Sequence, residues 1–220
     1  MNFYDVAKIV CGVPLRTVWR LRAVGTELVP RTGPLIVASN HISFFDPPAL
    51  GVALPRPLHY MAKQELFEIP LFGPLIRATN AYPVDRSRGD VGAIRRTVEM
   101  LRAGNAVAIF PEGGRNKNGQ AKARPGVALL AALSRAPILP AYIEGTSGVR
   151  RLHAITVIFG EPFVPRPRGL APLVDVAPPS AGAFEKTNAS DRKASREDLA
   201  KWTDEIMHRI FALREQLRAN

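Results

Sequence analysis

A single cysteine, Cys11, in a chain of 220 residues excludes an intramolecular disulfide framework and any zinc site built from cysteines. It suits a reducing compartment. The N-terminus has no basic stretch followed by an apolar run and a small-residue cleavage site, so no signal peptide is expected. No convincing transmembrane run appears either. The stretch from Pro34 to Leu54 lacks Lys and Arg, but it contains Asn40, His41, Asp46, Pro47, Pro48 and Gly51. Those polar groups and breakers are costly in a bilayer and read as strand, turn and short helix. Aromatic residues are few, at 7%, and acidic charge is short. Thirty Lys and Arg stand against nineteen Asp and Glu, for a net charge of +11. Such a balance suits an anionic partner: nucleic acid, an acidic membrane surface or a phosphorylated substrate. No recognition motif, aromatic platform or basic run supports nucleic acid.

What is present is one domain's worth of chain with 46% hydrophobic residues, enough for a substantial core. Residues 1–23 form a segment of their own, with an amphipathic helix expected over 3–22. Val6, Ile9, Val10, Val13 and Leu21 lie near one face and Pro14 kinks or splits the helix. It either rests in a membrane interface or packs on its own domain. Apolar strands are predicted at Leu35–Ser39, His59–Ala62, Ala106–Phe110, Ile138–Ile143 and Ala154–Phe159. Helices are predicted at about 90–103, with Gly104 as C-cap, and at about 124–135. This alternation over 24–160 argues for a single α/β domain with a central sheet flanked by helices. Residues 161–194 are rich in Pro, Ala, Gly and Ser and read as a long loop or disordered excursion. A last amphipathic helix over 195–220 starts from a Ser195–Asp198 capping box, and its stripe Leu199, Trp202, Ile206, Ile210, Leu213 and Leu217 packs on the domain.

Four polar clusters follow apolar strands. In the first, Ser39-Asn40-His41-Ile42-Ser43-Phe44-Phe45-Asp46-Pro47, a histidine precedes an aspartate by five residues. A neutral imidazole is the usual general base near neutral pH, and a carboxylate on its other nitrogen fixes the tautomer and stabilises the imidazolium. The spacing does not suit one helical face, so a turn must join them ahead of a helix beginning near Pro47. The second cluster is Phe110-Pro111-Glu112-Gly113-Gly114-Arg115. Its glycines permit positive φ, its backbone N–H groups suit an anion, and Arg115 offers a phosphate-binding fork. It lacks the Lys-Ser/Thr ending of a Walker A loop. Tyr82-Pro83-Val84-Asp85-Arg86, with Arg88, and Lys63 supply further cations. A metal hydrolase built on His41 and Asp46 lacks a clear third ligand, because His59, His153 and His208 are scattered along the chain.

Taken together, Asn40-His41…Asp46, Val84-Asp85-Arg86, Phe110 to Arg115 and Ile138-Leu139-Pro140-Ala141-Tyr142 resemble, in order and spacing, the four blocks of the glycerophospholipid acyltransferase family. The chain closely resembles the bacterial 1-acyl-sn-glycerol-3-phosphate acyltransferases. It covers residues 24–160 and includes Val24-Gly25-Thr26-Glu27-Leu28 and Lys63-Gln64-Glu65-Leu66. The resemblance implies a mixed sheet of the glycerol-3-phosphate-acyltransferase type. It implies that His41 and Asp46 are catalytic, that Arg86, Glu112, Gly113 and Arg115 bind the acceptor and its phosphate with Lys63 as a further contact, and that Asn40, Gly114 and Pro140 play supporting parts. Lysophosphatidate is the implied acceptor. Acyl-CoA or acyl carrier protein is the co-substrate, with no cofactor and no metal. The implied place is the cytoplasmic face of the cell membrane, peripheral or monotopic, on an anionic lipid surface. The chain departs from the common family form at Gly114 and Asn116, where Thr and Ser are usual. The Gly-Gly form resembles some glycerol-3-phosphate acyltransferases, so glycerol 3-phosphate or a non-phosphorylated lysolipid stands as an alternative acceptor. A basic binding module without catalysis is the alternative of a different class.

Overall fold

Strand-forming apolar runs organise the domain. The structure is a computed structural model describing residues 3–85, 90–116, 123–165 and 194–219. Seven strands form one sheet: β1 (Arg22–Val24), β2 (Leu35–Ser39), β3 (Leu58–Lys63), β4 (Ala81–Val84), β5 (Ala106–Ile109), β6 (Ile138–Glu144) and β7 (Thr156–Phe159). Their spatial order is β1-β7-β6-β2-β5-β3-β4. Every pairing is parallel except β6 with β7, so the sheet is mixed. The central strands are apolar along most of their length, with Ser39 and Glu144 at the ends of β2 and β6, because helices cover both faces. Leu35, Val37, Ala106, Ala108, Leu139 and Ala141 face one core cluster. Ile36, Ala38, Val107, Ile109, Ile138 and Tyr142 face the other.

Among the described residues six α-helices accompany the sheet: α1 (Phe3–Thr17), α2 (Asp46–Ala53), α3 (Phe72–Ala78), α4 (Val91–Arg102), α5 (Gly126–Ser134) and α6 (Arg196–Ala219). α1 and α2 lie on the first face and α4, α5 and α6 on the second. The rightward crossovers β2-α2-β3 and β3-α3-β4 share the right-handed sense and hence a face. α6 buries Trp202, Ile206, Ile210 and Leu213, each contributing roughly 1.5–3 kcal/mol. Its capping box is formed: Ser195 N–H donates to Asp198 Oδ2 at 2.9 Å and Asp198 N–H to Ser195 Oγ at 3.1 Å.

The N-terminal segment differs from the sequence expectation. The helix stops at Thr17, and Arg22–Val24 pairs with β7 as an edge strand. Pro14 neither splits nor ends it. The helical bond Pro14 cannot make would go to the carbonyl of Val10, which lies on the exposed side (Val10 is 63% exposed), where water can take it. The helix packs on α2 through Tyr4, Gly12 and Leu15, while Val6, Ile9, Val10 and Val13 stay exposed. The expected apolar stripe is therefore the outer side. β4 and α3 also went unforeseen: Pro83 and the run Ile69 to Pro74 hide their periodicities. Of the Pro-rich excursion, residues 166–193 lie outside the described residues. Phe163 precedes them and bridges back to Ile138.

Candidate active site

The site forms where β2, β5 and β6 end. Ala38 is in register with Ile109, and Ser39 with Ala141. His41 and Glu112 each lie three residues past the Ala38–Ile109 pair, so the sheet delivers the two loops side by side. Loops at the carboxyl ends of parallel strands are where open α/β sheets hold their ligands. Asn40 makes the exit from the sheet. Its Nδ2 donates to the Ile143 carbonyl at 2.9 Å, and its Oδ1 accepts from the Ile143 N–H at 2.7 Å. A side-chain amide thus replaces one rung of the β2–β6 ladder, and the backbone is free to turn away with no buried polar group unpaired.

That turn brings His41 and Asp46 together. Asp46 opens α2 and is fully buried. Its Oδ2 accepts three N–H donors, each at 2.7 Å: His41 Nδ1, the Ile42 amide and the Ser43 amide. Its Oδ1 accepts the Thr146 hydroxyl at 2.5 Å. A buried carboxylate with four donors is compensated for its lost hydration. Because Oδ2 is an acceptor, His41 Nδ1 carries the hydrogen and Nε2 carries the lone pair. The imidazole lies on the Phe110 ring, with centroids 4.2 Å apart and planes 22° apart. Its side chain keeps 13% exposure, a narrow opening onto solvent.

The second loop is tied to the first. His41 N–H donates to Glu112 Oε2 at 2.8 Å, Asn116 N–H donates to the His41 carbonyl at 2.7 Å, and Asn116 Nδ2 donates to Glu112 Oε1 at 3.1 Å. Glu112 thus spends both oxygens on protein donors. Burial pushes its carboxyl above the usual range, only partly offset by the bonds from Asn116 and His41. The folded state holds the Glu112 proton more tightly than the unfolded chain does, so its ionisation lowers stability as pH rises from the unfolded value through the folded one. Glu112→Gln is therefore expected to be relatively more stable at pH 7.5 than at pH 4.5. Melting curves of both proteins at the two pH values check this, and a gain confined to pH 4.5 contradicts it.

Arg115 lies over the Phe44 ring, 3.7 Å from its centroid, at the mouth of a cleft of about 570 Å³ lined by Ile42, Ser43, Phe44, Arg115 and Ser147. Gly113 has φ +69, which a side chain there would strain, whereas Gly114 faces open space. Lys63 ends β3, two strand spacings from β2, on the order of 10 Å away. It is exposed and paired with Glu65 at 2.7 Å. Pro140 is buried, in register with Ala38 below the loops. It accepts from Gly160 N–H at 2.9 Å but has no N–H to return, so β7 ends beside it. Arg86 and Arg88 lie outside the described residues. Sequence reasoning missed Thr146, Asn116 and Phe44. Thr146 sits a hundred positions from Asp46, and only the β2–β6 pairing brings it near.

A histidine paired with a buried carboxylate thus stands at the carboxyl edge of a largely parallel sheet, near a cleft lined by Arg115. The chain belongs to the acyltransferase family, whose family model matches residues 20–144. It is 32% identical over 161 residues to the 1-acyl-sn-glycerol-3-phosphate acyltransferase of Bacillus subtilis, covering 70% of this chain and 80% of that protein. It is 30% identical over 133 residues to the enzyme of the same name from Streptococcus pneumoniae, covering 58% of this chain and 49% of that one. The crystal structure of the 1-acyl-sn-glycerophosphate acyltransferase PlsC from Thermotoga maritima shares the fold, with a TM-score of 0.70 at 23% identity over 99% of this chain and 80% of that one.

Proposed function

We propose that the protein moves a fatty acyl group from a thioester donor, acyl-CoA or acyl carrier protein, to the free sn-2 hydroxyl of lysophosphatidate, giving phosphatidate. The observation that carries this reading is the His41–Asp46 pair with its buried, four-donor carboxylate. His41 Nε2 takes the hydroxyl proton as the oxygen attacks the thioester carbonyl. The imidazolium is stabilised by Asp46. The tetrahedral intermediate collapses, the C–S bond breaks, and the leaving sulfur takes the proton from Nε2. A thioester is already activated, so the chemistry needs neither an enzyme nucleophile nor a cofactor. Orientation of both substrates supplies much of the remaining rate.

Arg115 serves the acceptor phosphate, held flat by Phe44 so that its fork faces the cleft. Lys63 and Arg86 serve as further cations. Glu112, with Gly113, shapes the loop that carries Arg115, Gly114 leaves room beside it, and Asn40 and Pro140 hold the strand ends. Arg115→Ala is expected to raise KM for lysophosphatidate by roughly 10- to 100-fold, the worth of a charge-assisted hydrogen bond, with kcat much less changed. Arg115→Lys recovers part of it. Steady-state kinetics in the acceptor check both, and an unchanged KM contradicts the role.

The exposed Phe3, Val6, Ile9, Val10 and Val13 of α1 suit the interface of an anionic membrane, with Arg16 adding roughly 1 kcal/mol as a well-placed cation. This bare apolar face supports a peripheral or monotopic protein, and the cytoplasmic face is the side we propose for it. Among the described residues no helix is long and apolar enough to cross a membrane. Retention on anionic vesicles is expected to weaken as salt rises. Binding indifferent to salt contradicts the electrostatic part and leaves apolar insertion.

The test is transfer by the purified protein. It is given lysophosphatidate with acyl-CoA or acyl carrier protein, and phosphatidate is followed by mass spectrometry. Product is expected. Folded protein that makes none, but acylates glycerol 3-phosphate, changes the acceptor. Transfer to neither overturns the reading.

A further inference from the structure

Beside the cleft lies a cationic surface that the mechanism does not use. After β6 the chain turns through Gly145 into a short 3-10 stretch, Thr146–Arg151, that is kinked at Gly148. Its first residues belong to the site: Thr146 holds Asp46, and Ser147 lines the cleft. Its last residues, Arg150 and Arg151, are exposed. Leu152 follows, 53% exposed and held at φ 54, a left-handed conformation unfavourable for a leucine.

The connection between α1 and β1 is stitched to this segment. The Trp19 indole N–H donates to the Val149 carbonyl at 2.8 Å. Ile155 N–H donates to the Trp19 carbonyl, and Arg22 N–H to the Ile155 carbonyl, each at 2.9 Å. This stitching brings the backbone that carries exposed Arg20 and Arg22 against the segment that carries exposed Arg150 and Arg151. Among the described residues no ion pair joins any of the four to a carboxylate, and the pairs found involve His41, Lys63, Arg95 and Arg209 instead. Glu144, in register with Thr156, is in none of them. Unpaired arginines around an exposed, strained leucine have the composition of a protein-docking patch, where Arg is enriched and charge steers encounter.

We propose that Arg150, Arg151 and Leu152, flanked by Arg20 and Arg22, dock an acidic acyl-carrier protein that presents its thioester to His41. This rests on the reading of the protein as a thioester-dependent acyltransferase. The surface favours a protein over a free nucleotide carrier. The four exposed arginines are spread over two separate segments with an exposed leucine among them, which suits the breadth of an acidic protein surface.

The test compares two donors bearing the same acyl chain, one on purified acyl carrier protein and one on coenzyme A, with lysophosphatidate as acceptor. In Arg150→Glu/Arg151→Glu, kcat/KM with the carrier protein is expected to fall on the order of 10- to 100-fold, with a flatter salt dependence than the wild type. With acyl-CoA it stays within about twofold, which also reports an intact fold. An unchanged value with the carrier protein overturns the proposal. So does an equal loss with both donors that recurs in Arg150→Gln/Arg151→Gln, and so does a wild type that uses acyl-CoA alone. A wild type that transfers from neither donor removes the underlying reading, and the proposal with it.

Discussion

His41→Ala is expected to lower transfer to lysophosphatidate on the order of 10²–10⁴-fold, the contribution of a positioned general base, without unfolding the protein. The loss falls on kcat, because in the proposed mechanism the imidazole's role begins when the hydroxyl proton moves. The fold survives because its ties to position 41 are made by the backbone: the amide to Glu112 and the carbonyl to Asn116. Truncation removes the stacking on Phe110 and one of Asp46's four donors, and leaves the amides of Ile42 and Ser43 and the Thr146 hydroxyl in place. The expected melting temperature is therefore within a few degrees of the wild type. Parallel kinetics and melting curves check the pair of outcomes. Equal rates in the two proteins would remove His41 from the mechanism, whatever the acceptor.

Asp46 separates charge from geometry. Asp46→Asn can keep its oxygen toward the amides of Ile42 and Ser43 and toward His41 Nδ1, with its Nδ2 donating to Thr146 once that hydroxyl rotates. The tautomer is then preserved, and what is lost is the negative charge that stabilises the imidazolium. A fall in kcat on the order of 10²-fold follows, short of the roughly 10⁴-fold that accompanies a swapped tautomer. Asp46→Ala has no such refuge. It strands two amides and the buried Thr146 hydroxyl, and several kcal/mol of stability go with them. The kcat of the first variant and the denaturant midpoint of the second are the measurements. An unchanged kcat in Asp46→Asn would contradict the electrostatic role.

Much of this architecture is legible in residue order. β2 was read with its full span because a strand buried on both faces is an unbroken apolar run, and the turn after it carries the least ambiguous polar residues in the chain. α6 was read from its stripe and capping box. What stayed hidden depends on sheet order. Thr146 meets Asp46, and Asn116 meets His41, because β6 and β5 both flank β2, a pairing that periodicity within one segment does not encode. α1 misled for another reason. A 3.6-residue apolar stripe marks a face that avoids water, and it does not say whether that face meets a domain or something else. The domain took Tyr4, Gly12 and Leu15 and left the stripe bare.

The side-chain rung made by Asn40 has a thermal consequence. With the tie to Glu112 and the Thr146 clasp, it welds the reactive turn to three central strands instead of leaving it as an independent flap. Local opening at His41 then requires the middle of the sheet to part, and its free energy approaches that of the whole molecule. On heating, catalytic competence and cooperative structure should disappear in one transition, with no warm interval in which a folded protein has lost its base.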